Sequence, residues 1–219
     1  MSAPRSPAPA AGAASPAGAE VRVLRDGDPA VAALSADGWT VAAESWGARL
    51  RVTAAVLGRC AAAVTAATDA GWELLVLGPH DAAAVVALDA ACAADYPDTA
   101  ATRHDVPDAA ALERDLRSGA RWAYGAAAAD GRLDAVTVLY PSVGREAAMV
   151  ETDFTVTRAA VRGRGLATAV KAAAVLDLAA QGHELFGTGG AGVNEASRRA
   201  NEALGYLVTE RWLHLLPPH

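Results

Sequence analysis

Aromatic side chains are scarce in this chain. Phe, Trp and Tyr together make up 5% of its 219 residues, and the 53% hydrophobic share rests largely on alanine. A core can form, but mostly from small side chains. Cysteine is nearly absent: Cys60 and Cys92 each sit in an alanine-rich stretch. Two such residues supply neither a disulfide framework nor a metal-ligand spacing, so both are expected to be buried structural thiols and no metal site is expected. A basic surplus is also lacking, with a net charge of -6 and a pI near 5.3. That balance argues against nucleic acid or an anionic membrane as partner and favours cationic substrates. No run approaches the length and apolarity of a membrane span. The opening "MSAPRSPAPAAGAASPAGA" contains no apolar core of a secretory signal. Residues 1–19 are expected to be a disordered tail on a cytoplasmic protein.

The length suits one sizeable domain with an appendage. "EVRVLR" reads as a short strand, "DPAVAALSADG" as a short helix, and "WTVAAESWGARLRV" as a bent strand or hairpin. "AAVLGRCAAAVTAATDAG" is a helix stopped by Gly71, and "WELLVLGP" is a strand of buried type. Two helices follow, separated by the polar loop "DYPDTAATRHDVP". An antiparallel meander comes next: "RWAYGAAA", a turn at Asp130-Gly131, "LDAVTVLYP", a turn at "PSVGRE", and "AAMVETDFTV". "GLATAVKAAAVLDLAAQG" is a helix ending at Gly182, "HELFGT" a strand and "GGAGV" a glycine-rich bend. "NEASRRANEALG" is a helix capped by Asn194, and "YLVTERWLHL" a closing strand or hairpin. The order from Gly71 onward predicts an α+β fold, a mostly antiparallel central sheet flanked by helices. One echo stands out: "DGWTVAAESW" near the start resembles "LGYLVTERW" near the end, each after a short helix. It suggests that residues 20–52 are the stub of a second, degenerate copy of the domain.

The stretch "VRGRGLATAVK", Val161–Lys171, places a glycine-rich loop at the start of a helix. Such a loop presents unpaired N–H groups and the positive end of the helix dipole, which suits a pyrophosphate. A phosphate loop of the nucleotide-triphosphatase type needs Lys-Ser/Thr directly after its last glycine. Here Lys171 comes six residues after Gly165 and precedes Ala172. A dinucleotide fingerprint fits badly, because the preceding strand ends too early and too little chain follows. Arg162-Gly163-Arg164-Gly165-Leu166-Ala167 resembles the Arg/Gln-x-x-Gly-x-Gly/Ala loop of the GNAT superfamily, the acetyl-CoA-dependent N-acetyltransferases. The meander before it and "NEASRRANEALGY" after it resemble the rest of that family's C-terminal half. The resemblance implies a GNAT-like domain over 71–219, preceded by an N-terminal partial GNAT-like segment over 20–70.

The resemblance also implies functional residues. Acetyl-CoA would be the co-substrate, with pantetheine slotted between splayed strands near Val156 and Thr157. The N–H groups of Gly163, Arg164, Gly165, Leu166, Ala167 and Thr168 would cradle the pyrophosphate, and Arg162 and Arg164 would add charge. Asn194 would cap the last helix or touch the cofactor. Amide formation needs a base for the ammonium, a donor for the oxyanion and a proton for the leaving thiolate. Glu151, eleven residues before Arg162, is the implied base, with Asp153 assisting; the oxyanion donor would be the N–H near Val156. Many members carry a tyrosine as the acid where this chain has Asn201. An amide can hydrogen-bond the thioester but cannot give up a proton, which leaves water, Tyr206 or Tyr140. Asp95, Tyr96, His104, Asp105 and Tyr140 are candidates for contacting the substrate, a small-molecule primary amine. The expected assembly is a monomer or homodimer. The missing tyrosine supports a second reading, a non-catalytic acyl-CoA-binding protein, and the loop leaves a dinucleotide-binding domain as a third.

Overall fold

The structure, a computed structural model, describes residues 21–97, 99, 104–142 and 148–218. The tail expected over 1–19 and most of the "PSVGRE" turn lie outside the described residues, as does part of the loop between the first two helices of the main domain. Eight strands form a single sheet: β1 (Arg22–Arg25), β2 (Thr40–Arg51), β3 (Glu73–Leu77), β4 (Trp122–Ala127), β5 (Leu133–Pro141), β6 (Met149–Thr157), β7 (Leu185–Ala191) and β8 (Leu207–Leu216). Six α-helices accompany them: α1 (Pro29–Ala36), α2 (Ala54–Asp69), α3 (Ala82–Ala91), α4 (Ala109–Ser118), α5 (Leu166–Ala180) and α6 (Glu195–Leu204). The spatial order is β1-β8-β2-β7-β6-β5-β4-β3. Every pairing is antiparallel except β6 with β7. A sheet of that kind is not the parallel, doubly wound sheet of a dinucleotide-binding domain.

Local chemistry sets the helix limits. Asp28, Thr53, Asp108 and Asn194 each accept an N–H from the first turn of the helix that follows. α2 and α5 lie against one face of the sheet, where Trp46, Leu50, Tyr124, Val150, Val175 and Phe186 share a cluster. α3 and α4 cover the other face of β5 and β6, closing over Leu88, Leu112, Val136, Val138 and Phe154.

Three details differ from the sequence reading. The bent N-terminal stretch is one twelve-residue strand with two bulges against β8, not a hairpin. The glycines of "GGAGV" do not make a bend, because β7 continues through Gly189, Gly190 and Ala191 alongside β2. A Cβ on Gly189 would lie 2.9 Å from the Trp46 carbonyl oxygen, and one on Gly190 3.0 Å from the Trp46 ring. Glycine is used there for close approach between strands. Finally, the sheet crosses the division placed at residue 70. Within it β8 pairs only with β1 and β2, and β2 stands between β7 and β8. The two stretches that echo one another, β2 and β8, are thus antiparallel neighbours, each following a short helix.

The sheet opens at one place. β6 and β7 pair in parallel over three positions only, Met149–Leu185, Val150–Phe186 and Glu151–Gly187. Past Glu151 the strands part, and β6 carries a bulge between Thr152 and Phe154.

Candidate acyl-transfer site

Beside the far end of β6 lies a cleft of about 570 Å³, lined also by the loop after α3 and the starts of α5 and α6. The start of α5 faces it. Gly163 and Gly165 have φ of 76° and 78°, a conformation that costs any residue with a Cβ. A Cβ built on either would meet nothing within 4 Å, so both look onto open space. α5 begins without a side-chain cap, and its first N–H groups, at Leu166, Ala167 and Thr168, have no intrahelical acceptor. Those three residues line the cleft, as do Gly163, Gly165, Arg162 and, from the start of α6, Asn194. Asn194 also caps α6, accepting the Ser197 N–H at 3.0 Å.

The strand that bounds the cleft has a readable polarity. Arg158 donates its N–H to the Asp134 carbonyl of β5 at 2.8 Å, in register with the pairs Ala135–Thr157 and Val136–Val156. Antiparallel ladders alternate, so the amide groups of Val156 and Phe154 are spent on β5 and those of Thr155 and Thr157 turn toward the gap. The expected oxyanion donor at Val156 therefore points the wrong way; its side chain is buried under α3. Thr157 adds a buried hydroxyl, Oγ1, with no partner among the described residues.

The two arginines of the loop divide. Arg162 donates from Nε to the Thr157 carbonyl at 3.0 Å and from Nη2 to Asp95 Oδ2 at 2.6 Å, within the cleft. Arg164 turns away, its guanidinium stacked 5.8 Å over the Trp72 ring. Asp95, expected at the substrate, instead stands at the loop end of the cleft. Cys92 is more than a structural thiol, since it lines the same cleft and its Sγ lies 3.8 Å from the Thr157 carbonyl oxygen.

At the fork itself, neighbouring residues serve opposite faces. Glu151 and Gly187 point to the face away from α5, where Tyr140 of β5 and Arg49 of β2 continue the same cross-strand row. The Glu151 carboxylate lies 3.7 Å from Arg49 Nη1. Burial pushes the Tyr140 phenol up, with help from the Glu151 and Asp153 charges. A Cβ on Gly187 would overlap the Glu151 carboxyl group. Gly187→Ala is therefore expected to displace Glu151 and to lower kcat/KM by up to about 10²-fold with the fold intact. An unchanged rate would mean that the position of Glu151 does not matter. Asp153, on the bulge, is held by Arg121, which also pairs with Asp115 at 3.0 Å and lies 5.7 Å over the Tyr140 ring. Carboxylates and guanidinium groups thus alternate across this face of the fork.

Thr152 and Thr188, one step on, face α5 and receive its Lys171. The ammonium donates to Thr152 Oγ1 at 3.3 Å and Thr188 Oγ1 at 3.5 Å. Lys171 is 4% exposed yet lines the cleft. Burial outweighs the attraction of Glu151 and pulls its pKa down to about 7. Sequence reasoning missed it, although a signal was there: of 19 lysines and arginines in the chain, Lys171 is the only lysine.

Three expected residues, Asn201, Tyr96 and His104, make contacts elsewhere. Asn201 is buried, 1% exposed, on the inner side of α6, and its Nδ2 donates back to the Ser197 carbonyl at 2.8 Å. The helix takes up only the amide nitrogen; the buried Oδ1 has no partner among the described residues, and Asn201 does not line the cleft. Tyr96 and His104 stack at 4.1 Å, and both bind the fully buried Asp89 of α3, Tyr96 Oη to Oδ1 at 2.7 Å and His104 Nε2 to Oδ2 at 2.6 Å. That cluster pins the α3–α4 loop to α3, with Tyr96 also lining the cleft.

The sheet is a mixed α+β one that splays around a helix start, with a bulge at the fork. The chain has the GNAT fold. No protein-family model matches it, and no curated protein does. Among solved structures it resembles a tandem GNAT protein from the clavulanic acid biosynthesis pathway, at 21% identity and TM-score 0.55, over 90% of this chain and 62% of that one. A GCN5-related N-acetyltransferase from Sphaerobacter thermophilus matches at 13% identity and TM-score 0.66, over 91% and 60%. An acetyltransferase of the GNAT family from Colwellia psychrerythraea matches at 13% and TM-score 0.58, over 89% and 64%. The chain therefore spans somewhat under two thirds of the length of each.

Proposed function

We propose that this protein is an N-acetyltransferase that moves an acetyl group from acetyl-CoA to a primary amine of a small molecule. One observation carries the reading: the single parallel strand pair among the described residues parts after Glu151, and β6 runs on along a cleft headed by the uncapped start of α5. The residues present fit the co-substrate. The outward amides of Thr155 and Thr157 offer a strand edge to pantetheine, and the unpartnered Thr157 hydroxyl offers a further donor. The N–H groups of Leu166 to Thr168 and the Arg162 guanidinium suit a pyrophosphate. Asp95, now on Arg162, would have to release it. Glu151, and Asp153 behind it, supply negative charge on the opposite face for a protonated amine, and Glu151 is the base that takes its proton. No helix among the described residues is long and apolar enough to cross a membrane.

The first test is calorimetry with acetyl-CoA and, separately, NAD. Acetyl-CoA is expected to bind and raise Tm, and NAD to do neither. Gly165→Val should abolish coenzyme A binding while the melting transition persists, because a β-branched residue cannot hold φ near 78°. Unchanged affinity would remove the loop from the site. Thiol release in the presence of an amine panel then separates a transferase from a binding protein, which would bind acetyl-CoA and release nothing.

A further inference from the structure

We infer that Lys171 is the proton donor to the departing coenzyme A thiolate, in place of the tyrosine that Asn201 replaces. The inference rests on the acetyltransferase reading above and adds a role that the loop resemblance does not assign.

The geometry comes first. Lys171 Nζ sits where β6 and β7 part, bonded to Thr152 and Thr188, the first residues beyond the last paired rung on the α5 face. Glu151, one residue earlier, serves the other face. A base on one side of the fork and an acid on the other is the arrangement that an amine entering from one face and a thiol leaving by the other requires. The rival donors are worse placed. Asn201 is turned into α6, and Tyr206, 2% exposed, does not line the cleft; burial, first of all, pushes its phenol up and holds its proton.

The choice of residue points the same way. An arginine stays charged at every physiological pH, whereas a buried lysine can give up and regain a proton. This chain uses arginine at every other basic position and keeps its single lysine for a nearly buried site on the cleft. The hydroxyls of Thr152 and Thr188 accept from the ammonium and can equally donate to the free amine. The titratable groups around it are Glu151, felt through the sheet from its other face, Tyr206, whose ring lies 5.9 Å away and whose hydroxyl bonds Thr152, and Cys60 of α2 beyond that ring.

The step balances. Glu151 takes one proton from the substrate ammonium and passes it to solvent; the freed lone pair forms the N–C bond to the thioester carbonyl, and Glu151 then takes the second nitrogen proton. When the tetrahedral adduct collapses, the C–S bond breaks with its electron pair on sulfur. Lys171 gives that sulfur a proton and becomes a neutral amine. The proton on Glu151 or one from solvent restores the ammonium, so the sum is amide, thiol and one proton released.

The test measures thiol release against pH for the parent, Lys171→Met and Lys171→Arg, with acetyl-CoA affinity from calorimetry. Met keeps the apolar stem without the buried charge, and a Tm scan checks folding. Arg keeps a charge that it cannot release. Both variants are expected to bind acetyl-CoA with KM little changed and to lose kcat by roughly 10²-fold or more at pH 7. The parent should lose activity on the alkaline side as Lys171 deprotonates, and Met should lack that limb. Labelling the only lysine gives one NMR signal, whose titration should fall well below the ordinary lysine value of about 10.4. An active parent whose Met variant keeps both kcat and the alkaline limb overturns the inference alone. A parent that releases no thiol overturns the acetyltransferase reading and this inference with it.

Discussion

Glu151→Gln should lower kcat/KM by roughly 10²–10⁴ at neutral pH, the range that a positioned general base contributes. The glutamine keeps the shape of a side chain wedged against Gly187 and can still meet Arg49, so the fold and acetyl-CoA binding should be preserved. What disappears is the ability to take a proton from an ammonium. The deficit should therefore shrink as pH rises and free amine becomes abundant, whereas a merely structural defect would persist at every pH. Asp153→Asn should cost less, because Arg121 holds that carboxylate on the bulge and its part is to keep that face of the fork negative. A Glu151→Gln profile that superimposes on the parent's would make Glu151 a bystander and pass the base to Asp153.

Deleting residues 1–52 should leave no cooperatively folded protein. The cut removes β1 and β2, hence every strand that pairs with β8 and one of the two beside β7. It also removes Trp46 and Leu50, 6% and 1% exposed in the main core. Burying one such side chain contributes about 1.5–3 kcal/mol, against a typical total stability of about 5–15 kcal/mol. The two together account for about 3–6 kcal/mol, and with β8 and one edge of β7 left unpaired as well the remainder should not sustain a cooperative fold. Far-UV circular dichroism and a thermal scan of the truncated chain decide the matter. A sharp transition with native β content would show that residues 53–219 fold alone, as the division at residue 70 implies. Leu50→Ala probes the same contact more gently and should cost about 2–5 kcal/mol.

The loop was the most legible part of the site. Gly163 and Gly165 are demanded by local backbone geometry, and local geometry is what a short sequence window encodes. Glu151 as the base is implied by the family resemblance, through its place eleven residues before Arg162. The residues that were misread or missed are those whose roles depend on a neighbour far away in the chain. Asp95 was assigned to the substrate, but Arg162, 67 positions on, claims it. Asn201 was set at the thioester, but the helix turns it to Ser197. Asp89 was invisible until α3 brought it under Tyr96 and His104.

By itself the sequence determined the helices, through their capping residues and apolar stripes, the meander, through its turns, and the glycine-rich loop that opens α5, because each depends on residues within a turn or two of one another. It also showed that "DGWTVAAESW" and "LGYLVTERW" echo one another. Only the tertiary structure decided that these two lie side by side in one sheet, that β7 runs straight through its glycines, and that Val156 spends its amide on β5. Strand pairing between distant segments is set by register and by what the opposite face must bury, and neither is written in any one segment. The same holds for Lys171. Its place along α5 is local, but its burial between Thr152 and Thr188, which lowers its hold on a proton, exists only once β6 and β7 have closed around it.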